Sequence, residues 1–169
     1  MAFYLIINGK LTDHEFEYLS KDSGRRLEPT KAPIAKKKQR ADQSPNSYVI
    51  EIMQKDVKTL NSSDSIESAL NLFRNKDIHH LPVLNDYHLE GFLSHKDLLT
   101  HSKTDTKQTL NNIMNDLVIV CDENTALDHL AKVFYTEKIN GMPVINSKNK
   151  LVGIVTHHDI LRWVFDKTF

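Results

Sequence analysis

Two hydroxyl–carboxylate pairs stand where an apolar run meets a helical pattern, and their residue types could either cap a helix or hold a ligand. Ser94 stands three residues before Asp97, and Thr156 stands three before Asp159. In a capping box the hydroxyl accepts a backbone N–H and the acid reaches back, which contributes about 1 kcal/mol. A helix N-terminus also offers free N–H groups to phosphate, and a carboxylate can accept hydrogen bonds from adjacent ribose hydroxyls. The spacing alone leaves both interpretations open.

These two pairs belong to an internal repeat. Met53 and Met114 are 61 residues apart, as are Pro82 and Pro143, and the offset becomes 62 at the two hydroxyl–carboxylate pairs. A register held over about fifty residues indicates duplication, and two copies are too few for a solenoid. Each copy is predicted to run strand, helix, strand, strand, helix, with apolar helix faces at three-and-four spacing. The sequence therefore predicts an α/β (α+β) fold of two similar halves, residues 47–104 and 105–169.

Residues 1–46 are predicted to form a short hairpin followed by a flexible basic linker. Phe3–Ile7 is an apolar strand, and Asn8-Gly9 favours a tight turn because both residues tolerate positive φ. A single hairpin is marginal alone, so it should pack on another element. Residues 12–46 are polar and contain three prolines, which predicts little fixed structure.

The basic charge is concentrated in that linker. Eight basic residues stand against two acidic ones from Lys21 to Arg40. A solvated tether is the favoured interpretation of the run at 31–40, and a nucleic-acid contact through it is the alternative.

Composition argues against several other classes of function. The chain has 22 basic and 22 acidic residues, a balance that does not favour nucleic acid or an acidic membrane as the general partner. No apolar run approaches the roughly 20 residues of a membrane helix, and the default expectation is a cytoplasmic protein. The lone Cys121 follows an apolar strand and is expected to be buried rather than nucleophilic. The histidines lack the spacing of a metal site, so we expect no metal, no required cofactor and no catalysis.

The repeat resembles the CBS domain. His-Leu-Pro-Val precedes Gly-Phe-Leu-Ser-His-Lys-Asp in the first half, and Met-Pro-Val precedes Gly-Ile-Val-Thr-His-His-Asp in the second. A tandem pair of such domains is a Bateman module, and the resemblance covers roughly residues 48–165. It implies two β-α-β-β-α repeats related by a pseudo-twofold axis, with a cleft on each side. It also implies adenosine-containing ligands such as AMP, ADP, ATP or S-adenosylmethionine, flat homodimers, and regulation of a partner protein without catalysis.

The resemblance also implies which residues would hold the ligand. The matching aspartates, Asp97 and Asp159, commonly hold ribose in this family. The glycines at the end of each repeat would let the backbone approach the ligand, although tight packing is their other interpretation. The strands at 57–59 and 118–120 would offer backbone groups and apolar walls to adenine, or serve only as core. The full candidate set is Ser94, Lys96, Asp97, His79, His80, Gly91, Thr59, Thr156, His158, Asp159, Gly153 and Val120.

The two halves differ in their basic residues, which predicts unequal clefts. His79-His80 correspond to Asn140-Gly141, which carry no charge, and Lys96 corresponds to His158. Our hypothesis is that the Asp97 cleft, with His79, His80 and Lys96, favours a phosphorylated ligand. The Asp159 cleft would then be emptier or prefer an uncharged adenosyl group.

The last helix carries more apolar surface than one helix face usually needs. Homodimerisation through it is the leading explanation, and packing of residues 1–11 is the alternative. A ligand-independent homodimerisation or protein-interaction module is the main rival to a ligand sensor. The apolar residues of this helix are Ile160, Leu161, Trp163, Val164 and Phe165.

Overall fold

The computed structural model describes residues 3–20, 47–75, 78–100 and 107–168, so the basic run at 31–40 and most of the predicted linker lie outside the described residues. The elements are β1 Phe3–Ile7, β2 Lys10–His14, α1 Glu17–Ser20, α2 Val49–Ile52, β3 Leu60–Asn61, α3 Ile66–Asn75, β4 His80–Asn85, β5 His88–Ser94, α4 His95–Thr100, a 3-10 turn Leu110–Asn112, β6 Leu117–Asp122, α5 Leu127–Glu137, β7 Gly141–Ile145, β8 Leu151–Thr156 and α6 His157–Thr168.

The predicted β-α-β-β-α order occurs twice, as β3 to α4 and as β6 to α6. In each half the first strand pairs parallel with the second, and the second pairs antiparallel with the third. Even the irregularity repeats, because the ladder shifts register between Val83 and Leu84 and again between Val144 and Ile145. The duplication inferred from the sequence is therefore a duplication of structure, including one bulge per half.

The segment that precedes each half packs into the other half. Val49 is fully buried among second-half residues, and Leu110 is fully buried in the core of the first half. The Val49 N–H donates to Thr125 O at 2.9 Å, and the Leu110 N–H donates to Asp64 O at 2.8 Å. Two buried apolar anchors, each worth about 1.5–3 kcal/mol, thus join the halves reciprocally.

A second reciprocal link follows directly along the chain. Gln54 and Ile154 exchange backbone hydrogen bonds of 2.9 and 3.0 Å, and Asn115 and Phe92 exchange two of 3.0 Å. Each bond pair ties the start of one half to the last strand of the other. The two halves consequently form one body with a cleft on each side of the contact.

The prediction of a strand at 57–59 is wrong, because the first strand of that half is only Leu60–Asn61. Its counterpart β6 is six residues long. The difference has a physical cause: β6 pairs along its length with β1, with Phe3 opposite Cys121 and Ile7 opposite Leu117. Among the described residues no strand pairs with positions 56–59, so these residues lack the ladder that keeps β6 extended.

The predicted hairpin is confirmed, and β1 pairs with β6 so that the hairpin forms one edge of a five-stranded sheet in the order β2-β1-β6-β7-β8. It is longer than predicted, because β2 continues to His14 and α1 follows at Glu17–Ser20. The prediction that residues 12–46 have little fixed structure is therefore wrong for 12–20. Phe3 and Phe16 are buried side by side, with ring centroids 5.6 Å apart.

Candidate functional site: clefts between the repeats

Asp159 lies at the start of α6 and is held there by its own capping box. Its Oδ2 accepts the Thr156 N–H at 2.8 Å and the Thr156 Oγ1–H at 2.7 Å. The Asp159 N–H points back to Thr156 Oγ1 at 3.4 Å. Only 6% of Asp159 is exposed. A carboxylate so fixed at a helix N-terminus is pre-organised, because the backbone amides hold it without outside help.

The other oxygen of Asp159 is contacted from the opposite half. Gln54 Nε2 donates to Asp159 Oδ1 at 3.3 Å, which is at the long end of the range for such bonds. Gln54 is the residue that also bonds Ile154 through its backbone. The oxygen that does not serve the cap is thus turned towards the junction of the halves, where it can accept hydrogen bonds from a ligand.

A cleft of about 490 Å³ opens beside this carboxylate, and we call it the Asp159 cleft. It has apolar walls from both halves and a rim of polar and basic side chains. Its size suits a ligand of nucleoside scale. The lining residues are Gln54, Asp56, Val57, Lys58, Ile78, His79, His80, Asn140, Ile154, Thr156, His157, His158, Asp159 and Arg162.

His80 spans the boundary between the halves inside this cleft. Its Nε2 lies 2.8 Å from Asn140 Oδ1, and its ring stacks on Phe92 with centroids 5.6 Å apart. Burial lowers the pKa of His80 below its ordinary value, although the hydrogen bond to Asn140 acts in the opposite direction. A half-buried neutral imidazole here serves as a hydrogen-bonded wall more readily than as a fixed positive charge.

The basic side chains that remain surround the same cleft. Lys58 and Arg162 are the lysine and the arginine of the lining, and Lys58 is paired with Asp56 at 2.8 Å. His157 and His158 pack with ring centroids 4.7 Å apart. The charge of the cleft lining is therefore mixed, because Lys58 and Arg162 are balanced by Asp56 and Asp159.

His79 and His80 are predicted to share a cleft with Asp97, and the charge of Asp97 does act on His80. Both histidines also line the Asp159 cleft, although they belong to the first half. The physical reason is that β4 reaches the second half, where His80 contacts Asn140. The hypothesis of a phosphate-favouring Asp97 cleft stays a prediction.

The first-half pair forms the same cap in different surroundings. Asp97 Oδ2 accepts the Ser94 N–H and the Ser94 Oγ–H, both at 2.7 Å. Both capping boxes predicted from the sequence are thus present. Asp97, Ser94 and the exposed Lys96 lie outside the linings of both described clefts.

The second cleft is the counterpart of the first and is smaller, about 290 Å³. Asn115, Val118 and Ile119 replace Gln54, Val57 and Lys58. Three residues of the N-terminal segment, which has no equivalent before the first half, also line it: Leu5, His14 and Phe16. The full lining is Leu5, His14, Phe16, Phe92, Asn115, Leu117, Val118, Ile119, Glu137, Ile139 and Gly141.

Gly91 and Gly153, the two glycines predicted to let the backbone approach a ligand, lie where the two halves are in contact. A Cβ on Gly153 would come within 2.7 Å of Met53 Sδ and 3.1 Å of Gln54 O, and one on Gly91 would collide with Met114. Close packing, the alternative role considered for them, is what the geometry shows. Their ligand contact stays a prediction.

The remaining two candidates lie off the clefts. Val120 is fully buried in an apolar cluster with Ile6 and Val118, which is a core position. Thr59 is half-buried and lies outside the lining of the Asp159 cleft, whereas its neighbours Val57 and Lys58 line it. Among the candidates, His79, His80, Thr156, His158 and Asp159 come together in one cleft.

Sequence reasoning missed Gln54, Asn140, His157 and Arg162 as lining residues. One of them carried a usable signal: Arg162 stands three residues after Asp159 on a helix, and residues at that spacing share a face. Gln54 and Asn140 become neighbours of the site only through contacts between the halves.

The remaining expectations from the sequence concern the thiol of Cys121, a metal site and a membrane helix. Cys121 is fully buried, as expected, and burial raises the pKa of its thiol. Within residues 3–20, 47–75, 78–100 and 107–168, no three His, Cys, Asp or Glu side chains cluster as a metal site would require. No helix in those ranges is long and apolar enough to cross a membrane.

Two solved structures resemble this fold and share more than a quarter of their aligned residues with this chain. The CBS domain pair of protein MJ0100, in complex with 5′-methylthioadenosine and S-adenosyl-L-methionine, superposes with a TM-score of 0.68 at 31% identity, over 73% of this chain and 100% of that one. CBSX2 in complex with AMP has a TM-score of 0.65 at 27% identity, over 72% of this chain and 98% of that one.

Curated relatives carry the same region either as a small part of a longer protein or as most of the chain. An L-aspartate semialdehyde sulfurtransferase of Methanocaldococcus jannaschii is 32% identical over 120 residues, which are 70% of this chain and 23% of that protein. The chain thus spans under a quarter of that relative's length. A CBS domain-containing protein of Dictyostelium discoideum is 28% identical over 127 residues, covering 67% of this chain and 88% of its own length.

The family model described as the CBS domain matches twice, at residues 49–103 and 110–166. These ranges cover both structural repeats except for the last two residues of α6. The chain belongs to the CBS domain family and carries a tandem CBS pair, a Bateman module.

Proposed function

We propose that this protein is a non-enzymatic regulatory module that binds an adenosine-containing ligand in the Asp159 cleft. The observation that carries the proposal is the buried Asp159, whose Oδ2 is fixed by Thr156 while its Oδ1 accepts a long contact from Gln54. A carboxylate so held can accept both hydroxyls of a ribose. Charge-assisted hydrogen bonds of that kind contribute about 1.5–3 kcal/mol.

The walls of the cleft suit a purine. Val57, Ile78 and Ile154 supply apolar surface from both halves. Positions 57–59 pair with no strand within the described chain, so no neighbouring strand covers this wall of the cleft. The pattern of apolar walls with a few fixed polar groups is typical of small-molecule sites.

The basic rim extends the recognition beyond the nucleoside. Arg162 lies on the same helix as Asp159 and can contact a phosphate or a carboxylate bidentately. His79, His157 and His158 stand around the same opening. Both AMP, as bound by CBSX2, and the adenosyl compounds bound by MJ0100 are ligands of this general kind.

Regulation would follow from the position of the cleft between the halves. Gln54, His79 and His80 come from the first half, and Asn140 and Asp159 from the second. A ligand that contacts both can shift their relative orientation by the difference in its affinity for the two arrangements. We propose that this shift is transmitted to a regulated partner protein in the cytoplasm.

One feature favours homodimerisation as part of the mechanism or as a ligand-independent function. Leu99 on α4 and Leu161 on α6 occupy equivalent positions, and both are about 60% exposed (62% and 59%). Val164 and Phe165 continue the exposed apolar surface on α6. Exposed apolar groups at matching places in both repeats fit a flat, self-complementary interface.

A ligand panel tests the proposed function. Thermal unfolding would be followed with adenosine, AMP, ATP, 5′-methylthioadenosine and S-adenosylmethionine, with GMP as the matched control. A ligand at a hundred times its Kd adds about 2.7 kcal/mol, and each kcal/mol raises the Tm by about 2–4 °C at this chain length. We expect at least one adenosine compound to raise the Tm by several degrees and GMP to have a smaller effect. No shift with any adenosine compound would contradict ligand sensing.

A further inference from the structure

The two clefts share one wall at equivalent positions, yet a strand covers that wall in only one of them. Gln54, Val57 and Lys58 line the Asp159 cleft, and Asn115, Val118 and Ile119 stand at the same places in the second cleft. Val57 and Lys58 pair with no strand in the described ranges. Val118 and Ile119 lie against β1, which runs antiparallel to β6 with Leu5 opposite Ile119.

The N-terminal hairpin fills the second cleft with side chains as well as backbone. Leu5, His14 and Phe16 form one side of it, and Phe16 is only 7% exposed. The space left is about 290 Å³, against about 490 Å³ in the Asp159 cleft. Ile6 on the same strand is 4% exposed and packs into an apolar cluster with Val118 and Val120.

The hairpin is fastened at both ends. The Asn8 N–H donates to Asp116 O at 3.2 Å, and Tyr18 Oη donates to Glu137 Oε1 at 2.7 Å. Lys132 Nζ donates to the carbonyl of Tyr18. Burial, followed by the bond to Glu137, raises the pKa of Tyr18, so its hydroxyl stays a donor at neutral pH.

The chemistry of the filled cleft differs from that of the Asp159 cleft. Its lining contains the acidic Glu137 and no Lys or Arg, and Asp97 stands outside it. A phosphorylated ligand would meet a like charge there, and a ribose would lack the fixed carboxylate in the lining.

We infer that the β1–β2 hairpin is a built-in occupant of the second cleft, so that this CBS pair binds one adenosine ligand per chain rather than two. The inference rests on the proposed function of the Asp159 cleft. The hairpin and a ligand compete for the second cleft, and displacement of the hairpin exposes a second site that uses Asp97.

The test compares two neighbouring substitutions in the full chain. Ile6→Asp places a charge on the buried face of β1, and Ile7→Asp places the same charge on a side chain that is 42% exposed. Calorimetric titration with AMP and with 5′-methylthioadenosine should give one ligand per chain for the wild type and for Ile7→Asp. Ile6→Asp should give two, and adding Asp97→Asn should remove the second.

Hydrogen exchange of the wild-type protein keeps the test decisive even if Ile6→Asp does not fold. At saturating ligand, the amides of 3–7 and 117–121 should stay as protected as without ligand. Two ligands per chain in the wild type, or faster exchange of β1 on binding, would overturn the inference and leave the proposed function standing. So would a single site in Ile6→Asp with β1 released. No binding by any variant would instead overturn the proposed function, and with it the ligand count.

Discussion

His80 Nε2 and Asn140 Oδ1 lie 2.8 Å apart and join the first CBS repeat to the second inside the Asp159 cleft. The contact is possible because Gly141 has no side chain. A Cβ at that position would stand 2.9 Å from three atoms of the His80 ring. The histidine is thus fixed between a hydrogen bond and a glycine that both come from the other half.

Gly141→Ala is expected to push the His80 ring off its place and destabilise the protein by about 1–3 kcal/mol, the usual cost of overpacking. Urea unfolding measures the change. The double variant His80→Ala/Gly141→Ala is the control, since without the ring the added methyl has nothing to collide with. Its stability should match that of His80→Ala within about 0.5 kcal/mol; strict additivity of the two single changes would contradict the account.

Stability should fall in mildly acidic solution because of the same histidine. Burial lowers the pKa of His80, and the nearby His79 and His157 lower it further, whereas Asn140 and Asp97 act against them. Below about pH 6.5 the unfolded chain takes up a proton that the folded His80 refuses. The free energy of unfolding therefore decreases as pH falls through that value.

The measurement is urea unfolding at pH 7.5 and 5.5 for the wild type and for His80→Gln, which cannot titrate. The wild type should lose more stability between the two pH values than the variant, by at most about 1.4 kcal/mol per pH unit for one proton. Equal losses would show that His80 does not contribute.

Gly153 and Gly91 occupy equivalent contacts but should differ in their effect on binding. Gly153→Ala would press on Met53 and on the Gln54 carbonyl, and Gln54 also contacts Asp159. Both Gly→Ala changes should cost about 1–3 kcal/mol of stability. Only Gly153→Ala should also weaken ligand binding, measured by calorimetry below the Tm of each variant. Equal affinities in the two variants would show that the Gln54 contact does not affect ligand binding.

The proposed dimer surface can be tested with a single charge. If the protein is a dimer through α6 as proposed, Phe165→Asp should shift it towards monomer in sedimentation velocity, weakening association at least tenfold. Tyr87→Asp is the control, because Tyr87 is 90% exposed and lies in the turn between β4 and β5 rather than on α6. An unchanged oligomeric state in Phe165→Asp would exclude this surface as the interface.

Local pattern predicted much of the fold. The capping boxes, the Asn8-Gly9 hairpin and the repeated element order depend on residues close in sequence, and all are present. The failures share a cause. Two similar repeats have interchangeable local patterns, so nothing in the pattern says that Val49 packs into the second half or that His79 and His80 face Asp159. The position of the hairpin on β6 also depends on a contact that local pattern does not predict, because its partner strand is more than a hundred residues away.

The central claim is that Asp159, and not its twin, holds the ligand in the wild-type protein. Asp159→Asn and Asp97→Asn remove the same charge from two capping boxes of matching geometry, so their costs to helix capping should be similar. Calorimetric titration of both variants with the best ligand of the panel is the direct measurement. We expect Asp159→Asn to weaken binding by about 10- to 100-fold, equivalent to one charge-assisted hydrogen-bonded contact, and Asp97→Asn to bind like the wild type. Equal losses in both variants, or a loss confined to Asp97→Asn, would contradict the account.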